Sequence, residues 1–261
     1  MNGFRYLPAV LLSLTATSAL AQNPLPSPAP APAPAATSLP APAPVASPVR
    51  LTFDIAALNA SGNTTVTNLN VGDRLEYKSK AAGMVQFADV AYGRVNDSVT
   101  AEQIKVGLML DHRIWLVLHG YLGVTYERNQ FAGIAHRYQE TASLGLRMID
   151  LPHDLWTFEA GTAVNQEKGT LAAVHSFLAL RFATTIRHNF TQTAFLSESA
   201  ESLPSVEDSK DYRINSETAL VAPLSGRLAL KITYLVHYDN EPEPGFGKTD
   251  RVLTSGIQLS F

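Results

Sequence analysis

At 261 residues, 46% of them hydrophobic and 16% charged, with a formal net charge of −3, the chain has the make-up of one ordinary folded domain and lacks the basic excess that binds nucleic acid. It contains no cysteine, which excludes a disulfide framework and a lipid-modified cysteine. Beyond the amino terminus the densest apolar stretch is "IWLVL" at 114–118, far short of the roughly 20 residues of a membrane helix, so helical spanning is excluded.

The chain starts "MNGFRYLPAVLLSLTATSALAQ", with Arg5 as a positive n-region, an apolar core from Tyr6 to Thr17 and a small-x-small site at Ala19-Leu20-Ala21. This predicts a signal peptide over 1–21. Residues 22–48 hold ten of the sixteen prolines in an Ala-Pro repeat and almost nothing apolar enough for a core. We expect a disordered Pro/Ala-rich periplasmic linker there, extended in polyproline II, with a docking arm as the less favoured alternative.

From residue 49 the chain alternates apolar and polar residues between turn signals, which predicts a barrel over 49–261. Twelve strands are expected at about 50–60, 64–79, 83–95, 101–111, 114–129, 135–150, 155–167, 170–186, 189–199, 211–222, 227–239 and 249–261. Many exceed the usual length of soluble strands and suit tilted membrane crossings. Connections after the even strands are tight ("KAAG", "DHR", "PHD", "RHN", "PLSG"), whereas most after the odd strands are longer and more polar. That asymmetry belongs to a transmembrane antiparallel up-and-down β-barrel of the bacterial outer membrane, with short turns and both termini in the periplasm.

The faces can be phased. Leu116, Leu118, Leu122, Val124 and Tyr126 oppose His119, Thr125, Glu127 and Asn129; Leu228, Leu230, Ile232, Tyr234, Val236 and Tyr238 oppose Lys231, Thr233 and His237. Asp73 falls on the apolar face with Leu69, Val71, Leu75 and Tyr77, which calls for a bulge or a position near the membrane interface. Aromatic girdles are expected from Trp156, Phe190 and Phe261 at one rim and from Tyr92, Tyr126, Phe131, Tyr138, Tyr212 and Tyr238 at the other. The final strand places Ile257, Leu259 and Phe261 on one face, the pattern of a terminal strand presented to the barrel-assembly machinery. Outer-membrane lipid and lipopolysaccharide are the other expected partners.

The stretches "YERNQFAGIAHRYQETASLGLRMID" at 126–150 and "DYRINSETALVAPLSGRLALKITYLVHYDNEPEPGFGKTDRVLTSGIQLSF" at 211–261, with "SGNT" at 61–64, resemble the salt-induced outer-membrane protein family, itself a domain of unknown function. The resemblance runs from about Leu51 to Phe261. It implies a barrel in the outer membrane and carries no catalytic residues.

Under this phasing the lumen receives Arg74, Glu76, Lys105, Glu127, Arg147, Glu159, Arg181, Arg213, Glu217 and Lys231, together with Asp54. Signs nearly balance, so these groups either line a narrow path or close it by pairing. His175 and His237 also phase inward, but no Gly-x-Ser-x-Gly elbow, His-Glu-x-x-His or phosphate loop accompanies them, so no enzyme, cofactor or metal is expected. Glu198, Glu201, Glu207, Asp208, Asp239, Glu241 and Glu243 read as acidic loop residues whose spacing fits no calcium loop. The leading expectation is a narrow channel for ions or small solutes, tied to salt or osmotic stress as the family name implies. A closed structural barrel and a lipid-active enzyme follow in that order.

Overall fold

A computed structural model describes residues 48–60, 66–191 and 193–261. The predicted signal peptide, the Pro/Ala-rich segment up to residue 47 and the "SGNT" block lie outside them. The strands are β1 (Val49–Ala60), β2 (Val66–Lys78), β3 (Ala82–Val95), β4 (Ser98–Arg113), β5 (Leu118–Asn129), β6 (Ile134–Asp150), β7 (Asp154–Gly169), β8 (Val174–Asn189), β9 (Phe195–Pro204), β10 (Tyr212–Ser225), β11 (Leu228–Asp239) and β12 (Thr249–Ser260). Each pairs antiparallel with its sequence neighbours, and β1 meets β12 to close the barrel. Outward positions are apolar and exposed, among them Leu108, Leu122, Leu144, Phe158, Leu180 and Phe182. Inward neighbours such as Lys105, Glu127, Glu159 and Arg181 are buried. Apolar outside and polar inside is the inverse of a soluble sandwich, and it makes this a transmembrane barrel.

The short-turn end, where Val49 and Phe261 also lie, carries the connections 79–81, 114–117, 151–153, 190–194 and 226–227. The opposite end carries 96–97, 130–133, 170–173, 205–211 and 240–248. Three turns sit elsewhere than the sequence suggests: of "PLSG" all but Gly226 belongs to β10, whose ladder to β11 shifts register between Pro223 and Ser225. "DHR" continues β4: Asp111 points inward toward His119 Nδ1 at 3.4 Å, and the Arg113 amide donates to the Ala81 carbonyl. The turn is therefore "IWLV", with Ile114, Trp115, Leu116 and Val117 exposed. "RHN" likewise continues β8, where the Arg187 guanidinium lies 3.6 Å over the Phe195 ring, and the turn moves to 190–194. Polar residues at a barrel strand's end look like a turn because the lumen, like a turn, accepts polar groups.

This shift carries β9 onto Phe195–Pro204, so Glu198 and Glu201 are strand residues and not loop residues. Glu201 faces inward; Glu198 faces outward, where it accepts from Ser216 Oγ at 3.0 Å and from Thr218 Oγ1. Asp73 also faces outward. Its ladders to β1 and β3 run without a register shift, so no bulge rescues it.

At the short-turn rim Trp156 donates to Thr184 Oγ1 at 3.1 Å, and Phe261 packs edge-on against Phe53. At the opposite rim the Tyr126 and Tyr138 rings lie 5.0 Å apart, and the Tyr212 and Tyr238 rings 5.7 Å apart. Close strand approach is set at Gly161, where a Cβ would overlap the Ala142 carbonyl and the Ser143 backbone. Backbone cannot step aside as a side chain can. Gly161→Val is expected to cost roughly 1–3 kcal/mol of overpacking, read as a lower urea midpoint for the folded, heat-modifiable band.

Candidate functional site: the charged lumen and its roof

Alternation along each strand places all ten predicted lumen residues on the inner face, and the barrel's curvature brings distant strands into ion-pair range. Toward the long-loop end a ladder of alternating charge crosses the wall. Lys105 approaches Glu127 at 3.5 Å, Glu127 meets Arg137 at 3.5 Å, Arg137 meets Glu167 at 2.9 Å, Glu167 meets Arg213 at 3.0 Å, and Arg213 meets Asp239 at 3.0 Å. Gln103 Nε2 adds a hydrogen bond to Glu127 Oε1 at 2.9 Å. On β7 to β9, Arg181 bridges Glu159 and Glu201, each at 2.6 Å, and also donates to Ser143 Oγ at 3.0 Å. Lys231 reaches Asp54 at 2.5 Å, Arg74 pairs with Glu76 at 2.7 Å, and Arg147 pairs with Asp150 at 3.1 Å. Glu217 joins none of these pairs.

Three members of the ladder were absent from the predicted lumen set. Glu167 stands at the end of its expected strand, Asp239 reads in sequence as a loop residue although it is the last residue of β11, and Arg137 phases inward beside them. An even spacing, from Glu159 to Glu167 on β7 and from Lys231 to Asp239 on β11, was the available signal. His237 and His175 line the same region but face different partners: His237 Nδ1 lies 2.7 Å from Asn215 Oδ1, and His175 stacks on Phe177. Among the described residues no serine hydrogen-bonds to either histidine. Asn165, almost fully buried beside the ladder, has neither side-chain N nor O hydrogen-bonded, and Asp111 Oδ1, His119 Nε2 and Arg147 Nε are likewise buried without a partner.

Above the ladder is a chamber of about 310 Å³, lined among others by Glu127, Arg137, Glu167, Arg213 and His237. Its roof is the loop 240–248. "EPEPGFG" builds this roof from local stereochemistry: Pro244 pre-sets its own φ, Gly245 takes φ +96°, and the Phe246 amide donates to the Glu243 carbonyl at 3.0 Å. That is a type II turn, which needs a residue tolerant of positive φ where Gly245 stands.

The turn presents Glu243 across the mouth to the β7–β8 connection. Its Oε2 accepts from the Thr170 amide at 3.0 Å and the Thr170 hydroxyl at 2.5 Å, and its Oε1 accepts from the amides of Leu171 at 2.8 Å and Ala172 at 2.7 Å. Desolvation pushes the Glu243 carboxyl upward, but these hydrogen bonds outweigh it and hold the group below its ordinary range. A single carboxylate in a nest of three consecutive amides latches the roof. Among the described residues no group of three or more His, Asp or Glu is placed to hold a metal ion.

Fold and lumen together define a twelve-stranded transmembrane barrel with an ion-paired interior and a latched mouth. The sequence profile of the family described as "Protein of unknown function, DUF481" matches residues 53–261, and the chain belongs to that family. No curated protein matches it. Similar solved structures include the translocator domain of the autotransporter NalP from Neisseria meningitidis (11% identity, 82% of this chain and 86% of that one, TM-score 0.47). Others are the NanC porin (7% identity, 80% and 97%, TM-score 0.47) and an anion-selective porin from Comamonas acidovorans (9% identity, 82% and 98%, TM-score 0.40).

Proposed function

We propose that the protein is a bacterial outer-membrane barrel whose narrow, ion-pair-lined lumen passes small ions or polar solutes when the loop 240–248 lifts. The observation that carries this is the chamber under the Glu243 latch: charged groups surround a space large enough for hydrated ions, and the tip of its roof is tied to the β7–β8 connection by the hydrogen bonds that the Glu243 carboxylate accepts. The link to salt or osmotic stress has a physical route. Arg213, Glu167 and Asp239 keep side-chain exposures of 11–26%, so added salt screens part of the ladder that narrows the path.

A closed structural barrel is the second reading. It is favoured by the near-complete burial of Arg181 and Glu159, at 2% and 3% side-chain exposure, which fixes side chains where a wide pore would leave them wet. Single-channel conductance of the mature protein in planar bilayers separates the two. Steady unitary currents whose cation preference falls in the Glu167→Gln variant support the path; silence from correctly folded protein sinks it.

The location rests on the apolar exterior, the export-like amino terminus and the seam made by the last residue. Phe261 exchanges backbone hydrogen bonds with Leu51 at 2.8 and 3.1 Å, while Arg227 covers its ring at 5.0 Å. We place both termini in the periplasm and take Ile257, Leu259 and Phe261 as the feature read by the assembly machinery. Outer-membrane lipid and lipopolysaccharide would then surround the apolar wall. In cells, Phe261→Ala is expected to lower the folded outer-membrane fraction several-fold and to leave unfolded chain in the periplasm. An unchanged fraction would refute the role.

A further inference from the structure

A closed barrel has no strand edge, and in a membrane it cannot have one unprotected, because each unpaired backbone group in hydrocarbon costs several kcal/mol. Here the seam is closed over only part of its height. Strands β1 and β12 are in register from Thr52 opposite Ser260 to Ile55 opposite Ile257. Farther toward the long-loop end β1 stays paired with β2 as far as Ala60, and β12 stays paired with β11 back to Thr249. No ladder pair joins β1 to β12 beyond Ile55 among the described residues. Leu253, on the outer face of β12 in this stretch, is 72% exposed, whereas no other outward leucine within a described strand exceeds the 59% of Leu122. It lacks the neighbour a continuous wall supplies.

Directly behind the point where pairing stops lies a second cavity of about 140 Å³. Ile55 and Ala56 of β1 and Gly256 and Ile257 of β12 form its seam side, and Asp89 and Glu217 stand in its lining. Lys231 there is taken by Asp54, and Arg74 by Glu76. Asp89 and Glu217 form no ion pair of their own among the described residues, and the cavity lining holds four carboxylates, Asp54, Asp73, Asp89 and Glu217, against the two cations Arg74 and Lys231. Asp73, facing outward on β2 and also in the lining, adds a carboxylate on the membrane side.

We propose that the unpaired half of the β1–β12 seam is a lateral portal that admits an amphiphile with a cationic head, the ammonium seated between Asp89 and Glu217 and the chain leaving between the strands into the bilayer. Apolar residues at the strand edges suit the chain, and the unpaired carboxylates suit the head. The Ala-Pro segment of residues 22–48 is a poor occupant, because every proline lacks the N–H that a strand edge must receive. The portal opens through the wall, so it stands independently of conduction along the barrel axis.

The chain's lack of cysteine makes the test clean. In phosphatidylcholine vesicles the double variant Phe53→Cys/Leu259→Cys, at paired positions, should form a disulfide under mild oxidation. The variant Ala57→Cys/Ser255→Cys should keep two reactive thiols. Equal closure of both pairs, or an intermolecular dimer formed through the second pair, overturns the portal. For the occupant, a bimane fluorophore on a single Ser255→Cys variant is titrated with decyltrimethylammonium and with decyl sulfonate. The ammonium should half-saturate at a roughly tenfold lower concentration, the worth of one charged hydrogen-bonding contact. That advantage should vanish in Asp89→Asn/Glu217→Gln protein that still shows the folded gel shift. Equal response to the two amphiphiles, or an ammonium preference that survives both substitutions, overturns the assignment. No step measures conductance, so failure here and failure of the axial path are separate results.

Discussion

Replacing Arg181 with methionine is expected to destabilise the barrel by about 3–5 kcal/mol, the range for breaking a buried ion pair by removing one partner. The guanidinium holds Glu159 and Glu201 on opposite sides, and the side-chain exposures of the three are 2%, 3% and 10%. Methionine fills much of the volume, so the loss isolates charge: two carboxylates are left within a wall that cannot hydrate them. Urea unfolding of protein refolded into vesicles gives the number. Adding Glu159→Gln and Glu201→Gln should recover most of it, since the cost lies in stranded charge and not in a missing attraction. A single-variant loss below about 1 kcal/mol would mean that water reaches the pair, and would turn the lumen reading toward a wide pore.

Loosening the roof should have the largest effect on function. In Glu243→Gln the carboxylate that accepts from Thr170, Leu171 and Ala172 becomes a neutral amide with one acceptor oxygen. Losing one or two charged hydrogen bonds of roughly 1.5 kcal/mol each predicts a rise in open occupancy on the order of tenfold or more, measured as open probability in planar bilayers. The same latch sets a pH dependence. Because Glu243 is held below its ordinary range only in the closed mouth, its contribution to closure is complete above the ordinary carboxylate pKa. It is lost as pH falls through the depressed value. Acid on the long-loop side alone should open the wild-type mouth, and the Glu243→Gln protein should have lost that response. Closure that strengthens in acid would contradict the latch.

The barrel was legible because its physics has a period of two. Leu122, Val124 and Tyr126 against Glu127 and Asn129 fix both the strand and its lumen face, and twelve such segments fix the count. Boundaries were less legible, since Asp111 and Arg187 serve the lumen while resembling turn residues. The latch could not be read at all. Glu243 and Thr170 lie far apart in the chain, and nothing local to "EPEPGFG" says which amides its carboxylate meets. The seam was invisible for a related reason: the alternation of Leu58 or Leu253 is the same whether or not a neighbouring strand is present.

The strands differ in length in an ordered way. β6 has 17 residues and β9 has 10, with β4, β7 and β8 at 16 and β1, β11 and β12 at 12. Tilted at the usual angle and rising about 3.3 Å per residue, the tall and short sides of the wall differ by roughly 16 Å. A bilayer meeting such a rim must thin on the short side or let the barrel lean. Either response brings headgroups and their water down along β9 and β10. Glu198, Ser216 and Thr218 face outward on those two strands. Hydrophobic mismatch thus provides a hydrated surrounding for a carboxylate that a flat membrane would bury in hydrocarbon.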